Sequence, residues 1–156
     1  MNLFVLDHDF EKNSEYHVDK HVVKMILEAS QLLCTAFWEQ GIPAPYKATH
    51  KNHPCSVWVR ESEGNFNWCV SYAFALCFEY KHRYGKIHKC RDNALSYIIA
   101  NKNKLTFPNL KLTPFALAMP DQYKDNDAVK AYRNYYLGEK RHLFSWKNRP
   151  TPDWIN

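Results

Sequence analysis

Glycine and long apolar runs are both scarce in this chain. Its 156 residues include four glycines, which are few for an all-β fold built from many tight turns. No apolar run approaches the roughly 20 residues that a membrane-spanning helix needs. The N-terminal apolar run stops at Asp7 and His8, unlike the longer apolar region of a secretory signal peptide. We therefore expect a cytoplasmic protein without a membrane partner.

Motifs that depend on glycine or on paired cysteines are missing as well. The chain has five cysteines, an odd number, and no Cys-x-x-Cys pair, which favours a reduced protein over a disulfide framework. No Gly-x-Ser-x-Gly elbow, Walker loop or dinucleotide fingerprint occurs. Serine-elbow acyl transfer and glycine-loop nucleotide binding are therefore without support, and no cofactor is predicted.

The residues that are abundant fit a folded helical protein. Apolar residues make up 46% and aromatic residues 15% of the chain, which is typical of a globular protein. The length fits one domain, residues 1–156, with a sizeable core. Apolar side chains recur mostly at helical spacing, so we predict a mainly α-helical single-domain bundle.

One buried helix, at about residues 14–40, is predicted to be the centre of the bundle. Apolar side chains cover most of this helix, and the remaining positions form a narrow polar stripe. The stripe consists of His17, His21, Lys24, Glu28, Gln31 and Thr35. Because buried charges need partners, the stripe is either a solvated edge with a Lys24–Glu28 ion pair or the lining of a cleft suited to acid–base chemistry.

The remaining helices are predicted from the same periodicity, and prolines mark the irregular parts. Residues 1–7 form either a buried edge strand or an extended segment that lies on the core. Long irregular segments are expected near residues 103–126 and 141–156. Further helices are expected over residues 55–62, 65–80, 89–102 and 127–138.

Basic and aromatic residues cluster outside the central helix, and the net charge of +5 is compatible with an anionic partner. The polar loop after the central helix is a candidate substrate loop. Its residues, with one arginine downstream, are Lys47, His50, Lys51, His53 and Arg60. Further cations and one tyrosine are candidates for contact with DNA phosphates. These residues are Lys81, Arg83, Lys86, Lys89, Arg91, Arg133 and Tyr136.

Three functions are compatible with these residues. His17 and His21 have the spacing at which two imidazoles on a helix can share a metal ion, so a metal-dependent hydrolase of nucleic acid or nucleotides is one alternative. A second alternative is a non-catalytic nucleic-acid-binding module. Base excision from DNA combines more of the features, because a flipped base needs an apolar pocket, an acid or amine at the sugar, and cations at the flanking phosphates.

Two motifs carry a resemblance to a known family. Asp19-Lys20-His21 and then Glu28 match an Asp-x-His pair followed, seven residues later, by a catalytic Glu. The run from Tyr132 to Lys140 is similar to an aromatic Tyr-Lys-Tyr-Tyr-Gly-Lys run. Both motifs are found in the pyrimidine-dimer DNA glycosylases of the phage endonuclease V type, which this chain resembles in length and helical layout.

The resemblance implies a monomeric DNA glycosylase, with or without abasic-site lyase activity, that acts on base-flipped DNA. In that family the N-terminal α-amine attacks the sugar C1′, and the Glu stabilises the sugar cation and moves protons. The corresponding catalytic residues here are Met1 and Glu28, with His21 beside them. Lys24, Gln31 and His17 would be polar groups of the same cleft.

Two departures from the family pattern predict a different lesion. Asn2 follows Met1, so the methionine should be retained, whereas the mature chain in the family begins with Thr. Leu27 and Gln31 occupy the positions where the family has arginines beside its catalytic Glu. We therefore expect a damaged or modified base other than a pyrimidine dimer.

Overall fold

The chain forms six α-helices and no strand in a computed structural model that describes all 156 residues. One cluster of 35 buried hydrophobic residues joins the helices, so the predicted mainly α-helical bundle is confirmed. The helices are α1 (Phe10–Tyr16), α2 (Asp19–Glu39), α3 (Pro54–Glu61), α4 (Glu63–Tyr84), α5 (Ser96–Asn101) and α6 (Ala128–Glu139).

Helix α2 is the buried centre of the bundle, as predicted. Thirteen of its 21 residues are buried, and its most extensive packing is against α4. The helix ends before Gly41, whose φ of +74° lies in the left-handed region that favours glycine. Glycine at this position therefore ends α2 without backbone strain.

The predicted continuous helix over residues 14–40 is wrong at its N-terminal end. The backbone is extended at His17 and Val18, which separates α1 from α2. Asp9 is the N-cap of α1 and accepts from the Lys12 N–H. No proline or glycine marks this break, which explains why helical periodicity alone could not predict it.

The N-terminal segment is an extended thread on the core and not a strand. Residues Leu3 to Leu6 are buried, and side chains satisfy several of their backbone groups. The Leu6 N–H donates to Asn13 Oδ1 at 2.7 Å, and Arg133 Nε donates to the Leu6 carbonyl at 2.9 Å. Backbone groups buried without partners are costly, so these contacts hold the chain start in one path.

The two long irregular segments are confirmed near residues 103–126 and 141–156, where only short 3₁₀ turns occur. The first segment runs closely past the start of α4. Asn65 Oδ1 accepts from the Thr113 N–H at 2.8 Å, and the Gly64 N–H donates to the Leu110 carbonyl at 2.9 Å. A Cβ at Gly64 would overlap the backbone nitrogen of Leu112, so this close approach requires glycine.

The other predicted helices are present with shifted ends. The helix predicted over 65–80 continues to Tyr84, where Gly85 ends it with a φ of +67°. The helix predicted over 89–102 is a π-helical turn, Arg91–Leu95, followed by α5. None of the helices combines the length and the apolar character that crossing a membrane requires.

Candidate functional site

A cavity of about 110 Å³ lies beside Glu28, where three parts of the chain meet. The N-terminal thread, the middle of α2 and the C-terminal end of α6 form its walls. Its lining residues are Met1, Asn2, Phe4, His21, Lys24, Met25, Glu28, Tyr135 and Lys140. Four residues predicted for the site, Met1, His21, Lys24 and Glu28, therefore border one cavity.

The buried carboxylate of Glu28 has three nitrogen neighbours. Its Oε2 accepts from the Asn2 backbone N–H at 3.1 Å and lies 3.8 Å from the Met1 α-amine. Its Oε1 lies 3.5 Å from Lys24 Nζ. A carboxylate buried to 7% exposure needs such partners to offset its loss of water. The first amine of the chain and the central carboxylate therefore form one polar centre.

Asn2 holds the N-terminus in this position, and its role was not predicted from the sequence. Its Nδ2 donates to the Ala118 carbonyl at 2.8 Å. Its Oδ1 accepts from the Leu3 N–H at 2.8 Å and from the Tyr132 hydroxyl at 3.1 Å. These bonds join the thread to the irregular segment and to α6. They leave the Met1 amine little freedom to move away from Glu28.

His21 is fixed on two sides and borders the cavity. Its Nδ1 lies 2.7 Å from the Tyr136 hydroxyl, and its ring stacks on Phe4 with centroids 4.5 Å apart. Burial, followed by the positive charges of neighbours that include Lys24 and Lys140, lowers the pKa of His21 to about 3. The imidazole is therefore neutral at physiological pH, and a cationic role for His21 is excluded there.

The prediction that His17 lines the cleft is wrong, because its ring is fully buried in the core. Its Nδ1 bonds the Asn13 carbonyl at 2.6 Å and its Nε2 bonds the Tyr72 hydroxyl at 2.9 Å. Burial lowers the pKa of His17 to about 4. The break between α1 and α2 places this residue outside the helix whose stripe it was predicted to join.

The predicted substrate loop lies near the site but does not line the cavity. Burial lowers the pKa of His53, and the Met1 amine and His50 lower it further, which indicates electrostatic proximity to the chain start. His50 has a φ of +49°, a left-handed conformation that is uncommon outside glycine. Lys47 and Lys51 are exposed.

Two other predicted cleft residues have local contacts away from the cavity. Arg60 donates to the Lys51 carbonyl at 2.8 Å and to Ser56 Oγ at 2.7 Å, so it holds the loop in place. Gln31 is half-buried, and its carbonyl accepts from Thr35 Oγ1 at 2.8 Å. Neither side chain is part of the cavity wall.

The predicted phosphate contacts divide into exposed and buried residues. Lys81, Lys86 and Lys89 are exposed and Arg91 is half-buried, so all four remain candidates. The predictions for Arg83 and Tyr136 are wrong, because both side chains are fully buried.

Arg133, the other predicted phosphate contact, already interacts with other side chains of the protein. Its guanidinium pairs with Asp7 at 3.3 Å and lies 5.0 Å from the centroid of the Trp154 ring. Contact with DNA would therefore require the Arg133 side chain to leave these partners.

Several cavity residues were missed by the sequence analysis. Phe4 and Met25 were assigned to apolar segments, and nothing in the local pattern distinguishes them from the core. Tyr135 and Lys140 belong to the run that carries the family resemblance, so that resemblance was the one signal available for them. Lys140 Nζ lies 4.9 Å from the centroid of the Tyr135 ring, which positions its charge at the cavity.

The donor set required by the metal-hydrolase alternative is not assembled. No group of three or more His, Cys, Asp or Glu side chains is arranged to hold a metal ion. His17 and His21 bond different tyrosines, so their helical spacing does not bring two free imidazole nitrogens together. The residues present therefore do not fit that alternative.

A larger groove of about 500 Å³ lies between α1 and α4. Its walls are partly aromatic, from Phe10, Phe74 and Phe78, and its charged members are Glu11, Glu79 and Arg149. Arg149 and Glu79 pair at 3.0 Å. Size would favour this groove as the site, but the smaller cavity brings an amine, a carboxylate and an imidazole together.

The fold and the site together define an all-helical protein in which a buried carboxylate, Glu28, lies beside the Met1 α-amine. Comparison with protein-family models, with curated protein sequences and with solved structures finds no match to this chain. The resemblance to the phage glycosylases therefore rests on the sequence motifs and stays a prediction.

Proposed function

We propose that the protein is a DNA glycosylase with abasic-site lyase activity, in which the Met1 α-amine is the nucleophile and Glu28 the acid–base group. The observation that carries this proposal is the 3.8 Å separation between the Met1 amine and Glu28 Oε2. An amine beside a carboxylate in a cavity is the arrangement that imine formation at a sugar carbon needs.

The amine supplies the bond to the sugar. Its nitrogen attacks C1′, the bond from C1′ to the base breaks, and the base leaves with the electron pair and takes up a proton. The nitrogen then loses a proton and the sugar ring opens, because the ring oxygen leaves C1′ with its electron pair and takes up a proton. This gives an imine at C1′. As a class, α-amines lose their proton at much lower pH than lysine side chains, which suits an α-amine to this role.

Glu28 would move the protons of these steps. Its carboxylate can stabilise positive charge at C1′ and accept the proton that the nitrogen loses. Once the imine has formed, removal of a C2′ proton releases the 3′ phosphate oxygen and breaks the strand. The Asn2 N–H bond at 3.1 Å holds the carboxylate in position for this transfer, which favours catalysis through fixed geometry.

Lys24 is the competing amine, because its Nζ also lies 3.5 Å from Glu28. Its side chain is 67% exposed, so it is free to move and is well hydrated. The Met1 side chain is 3% exposed, and the Asn2 side chain holds the chain start through its hydrogen bonds. An anchored amine is the better-positioned nucleophile, and Lys24 is better suited to contact a phosphate at the cavity mouth.

Cations around the cavity support DNA as the substrate. Lys24 and Lys140 line it, and the loop after α2 carries the exposed Lys47 and Lys51. Their combined charge would attract the phosphates on each side of a flipped nucleotide. Phe4 and Tyr135 add aromatic surface to the cavity wall, which suits contact with a sugar or base.

Borohydride trapping tests this function directly. The protein is incubated with duplex DNA that contains one abasic site or one of a panel of modified bases, and the imine is reduced to a stable bond. We expect a covalent protein–DNA adduct and strand cleavage. Mass spectrometry of the digested adduct should locate the sugar on the Met1 nitrogen and confirm that Met1 is the first residue of the protein used.

Matched variants separate the roles of the groups. Glu28→Gln should lower strand cleavage by about 100-fold, in the range lost with a general acid–base group, whereas Glu39→Gln on the exposed end of α2 should have no effect. Residues added before Met1 should abolish trapping, and the same residues added at the C-terminus should not. Lys24→Gln should retain trapping.

Two results would contradict the proposal. An adduct on Lys24 would show that Lys24, and not the Met1 amine, is the nucleophile. If no substrate gives an adduct or base release and the protein shows only salt-sensitive DNA binding, with a steep slope against the logarithm of salt concentration, the chain is a binding module.

A further inference from the structure

His17 and His21 lie four residues apart in the sequence, and each bonds a buried tyrosine. His17 bonds Tyr72 and His21 bonds Tyr136. The two histidines differ in their second ring nitrogen, because that of His17 bonds a carbonyl and that of His21 bonds no protein group. This difference fixes which nitrogen carries the proton in each ring.

In His17 both ring nitrogens are used inside the core. A carbonyl can only accept, so Nδ1, at 2.6 Å from the Asn13 carbonyl, carries the proton. Nε2 is then unprotonated and accepts from the Tyr72 hydroxyl at 2.9 Å. His17 therefore has no hydrogen-bonding group left for a ligand.

In His21 the proton lies on the other nitrogen. The Tyr136 hydroxyl has two partners, the Val18 N–H at 3.4 Å, which donates to it, and His21 Nδ1 at 2.7 Å. Its own proton therefore has one available acceptor, His21 Nδ1. With Nδ1 protonated instead, the fully buried hydroxyl would have no acceptor, which is unfavourable. A neutral His21 therefore carries its proton on Nε2.

The Nε2 atom of His21 faces the cavity. It has no hydrogen-bond partner in the protein. Trp154 Nε1 is the one side-chain nitrogen or oxygen that is both buried and without a partner in the structure, so His21 Nε2 is not fully buried. Nε2 therefore keeps contact with solvent. His21 is 6% exposed and lines the cavity that contains Met1 and Glu28, so its solvent contact is made there.

We propose that His21 presents a fixed Nε2–H donor to an oxygen of the bound deoxyribose, and that Tyr136 is the positioning residue that fixes this tautomer. The role rests on the proposed function, whereas the tautomer does not. The imidazole donates a hydrogen bond and keeps its proton. It stabilises negative charge that develops on the ring oxygen as the bond from C1′ to that oxygen breaks, in the manner of other fixed donors.

The surroundings of His21 keep this donor neutral. The charged and titratable groups around it are the Met1 amine, Lys24, Glu28, Lys140 and His17, and the lysines and His17 oppose a positive charge on the ring. A neutral imidazole with one fixed N–H polarises an oxygen without exchanging protons with solvent, as a neutral catalytic histidine does in triosephosphate isomerase.

Heteronuclear NMR of the imidazole nitrogens tests the tautomer without any DNA. We expect His21 to show a protonated Nε2 and an unprotonated Nδ1, unchanged between pH 8 and about pH 5. The signals are assigned by their absence in His21→Gln. Tyr136→Phe should give a mixture of tautomers at His21. A free protein in which His21 Nδ1 carries the proton would overturn the assignment.

Kinetics on DNA with an abasic site test the role. Tyr136→Phe should lower kcat about tenfold, the effect of weakening one hydrogen bond, with KM changed by less than about twofold. Tyr72→Phe removes the same hydroxyl from the His17 pair and should leave kcat within about twofold. Equal losses in both variants would show a structural effect alone and overturn the role.

Substitution of His21 itself gives an independent measurement. His21→Gln keeps an N–H donor near the Nε2 position, and His21→Met keeps the volume without the donor. We expect the glutamine variant to be about tenfold more active than the methionine variant, and equal activities would overturn the role. If the unaltered protein forms no adduct with any substrate, the proposed function fails together with this role, and the NMR result on the tautomer still stands.

Discussion

The Asp19 carboxylate pairs with the buried guanidinium of Arg83 at 2.9 Å. The same carboxylate accepts from Ser145 Oγ at 2.6 Å and from the Lys147 N–H at 2.8 Å. These bonds, with burial opposing them, lower the pKa of Asp19. Asp19 is the Asp of the Asp-x-His motif, and it joins the start of α2 to α4 and to the C-terminal segment while facing away from the cavity.

Arg83→Met should be strongly destabilising. Arg83 also pairs with Glu79 at 2.7 Å and bonds the carbonyls of Glu15 and His17, so its loss leaves Glu79, which is 3% exposed, with fewer partners. Removing one partner of a buried ion pair costs about 3–5 kcal/mol. Urea unfolding should show this loss, whereas Lys81→Met, at an exposed position of the same helix, should change stability by less than about 0.5 kcal/mol.

The sequence was sufficient to predict the helical class and the burial of α2, because apolar periodicity depends on one helix at a time. The stripe identified Glu28, His21 and Lys24 without any tertiary information. The resemblance then suggested that the Met1 amine is their partner. These predictions share one property, since each concerns residues on α2 or a motif at fixed spacing.

What the sequence could not indicate depends on contacts between distant residues. The break at His17 and Val18 has no local breaker, and it forms where His17 bonds Tyr72 in another helix. Asn2 was not predicted as an anchor because its partners, Ala118 and Tyr132, are far away in sequence. Arg83 was assigned to a phosphate surface because one of its acidic partners, Asp19, belongs to another helix.

Gly64→Ala should destabilise the protein more than Gly138→Ala. A Cβ at Gly64 would overlap the backbone of Leu112, whereas one at Gly138 would meet the Tyr123 side chain, which can rotate away. Overpacking against fixed atoms typically costs about 1–3 kcal/mol. Thermal unfolding of the two variants should show the larger decrease in Tm for Gly64→Ala. Equal decreases would mean that the segment after α5 can move away from α4.

Stability should fall as pH decreases from about 6.5 to about 4. Burial lowers the pKa of His17 to about 4 and that of His21 to about 3, while both side chains titrate near 6.5 in the unfolded chain. In this window the unfolded state binds more protons than the folded state, so acid favours unfolding. For His17 alone the loss is about 3 kcal/mol by pH 4.

Urea midpoints at several pH values measure this dependence. His17→Asn removes one titrating group, so its stability should be lower at pH 7 but should change less between pH 6.5 and pH 4. His82→Asn, at an exposed position of α4, should keep the pH dependence of the unaltered protein. If the slope is the same in all three proteins, His17 is not the group that takes up the proton on unfolding.

Asn2→Leu should weaken the site without shortening the chain. Leucine has a similar size, and because it is large, Met1 should not be cleaved from the chain. It removes the acceptor for the Leu3 N–H and the donor to the Ala118 carbonyl. Buried polar groups left without partners cost about 1–3 kcal/mol each, so unfolding should require less urea. Asn103→Leu, at an exposed position, is the matched control.

The same pair of variants should differ in borohydride trapping, measured below the temperature at which either unfolds. With Asn2 replaced, the Met1 amine is no longer held beside Glu28, so the trapping rate at saturating DNA should fall by about tenfold or more. DNA affinity, which depends on surface cations, should change by less than about twofold. A variant that is destabilised but traps abasic DNA at the normal rate would show that Asn2 supports the fold and does not position the amine.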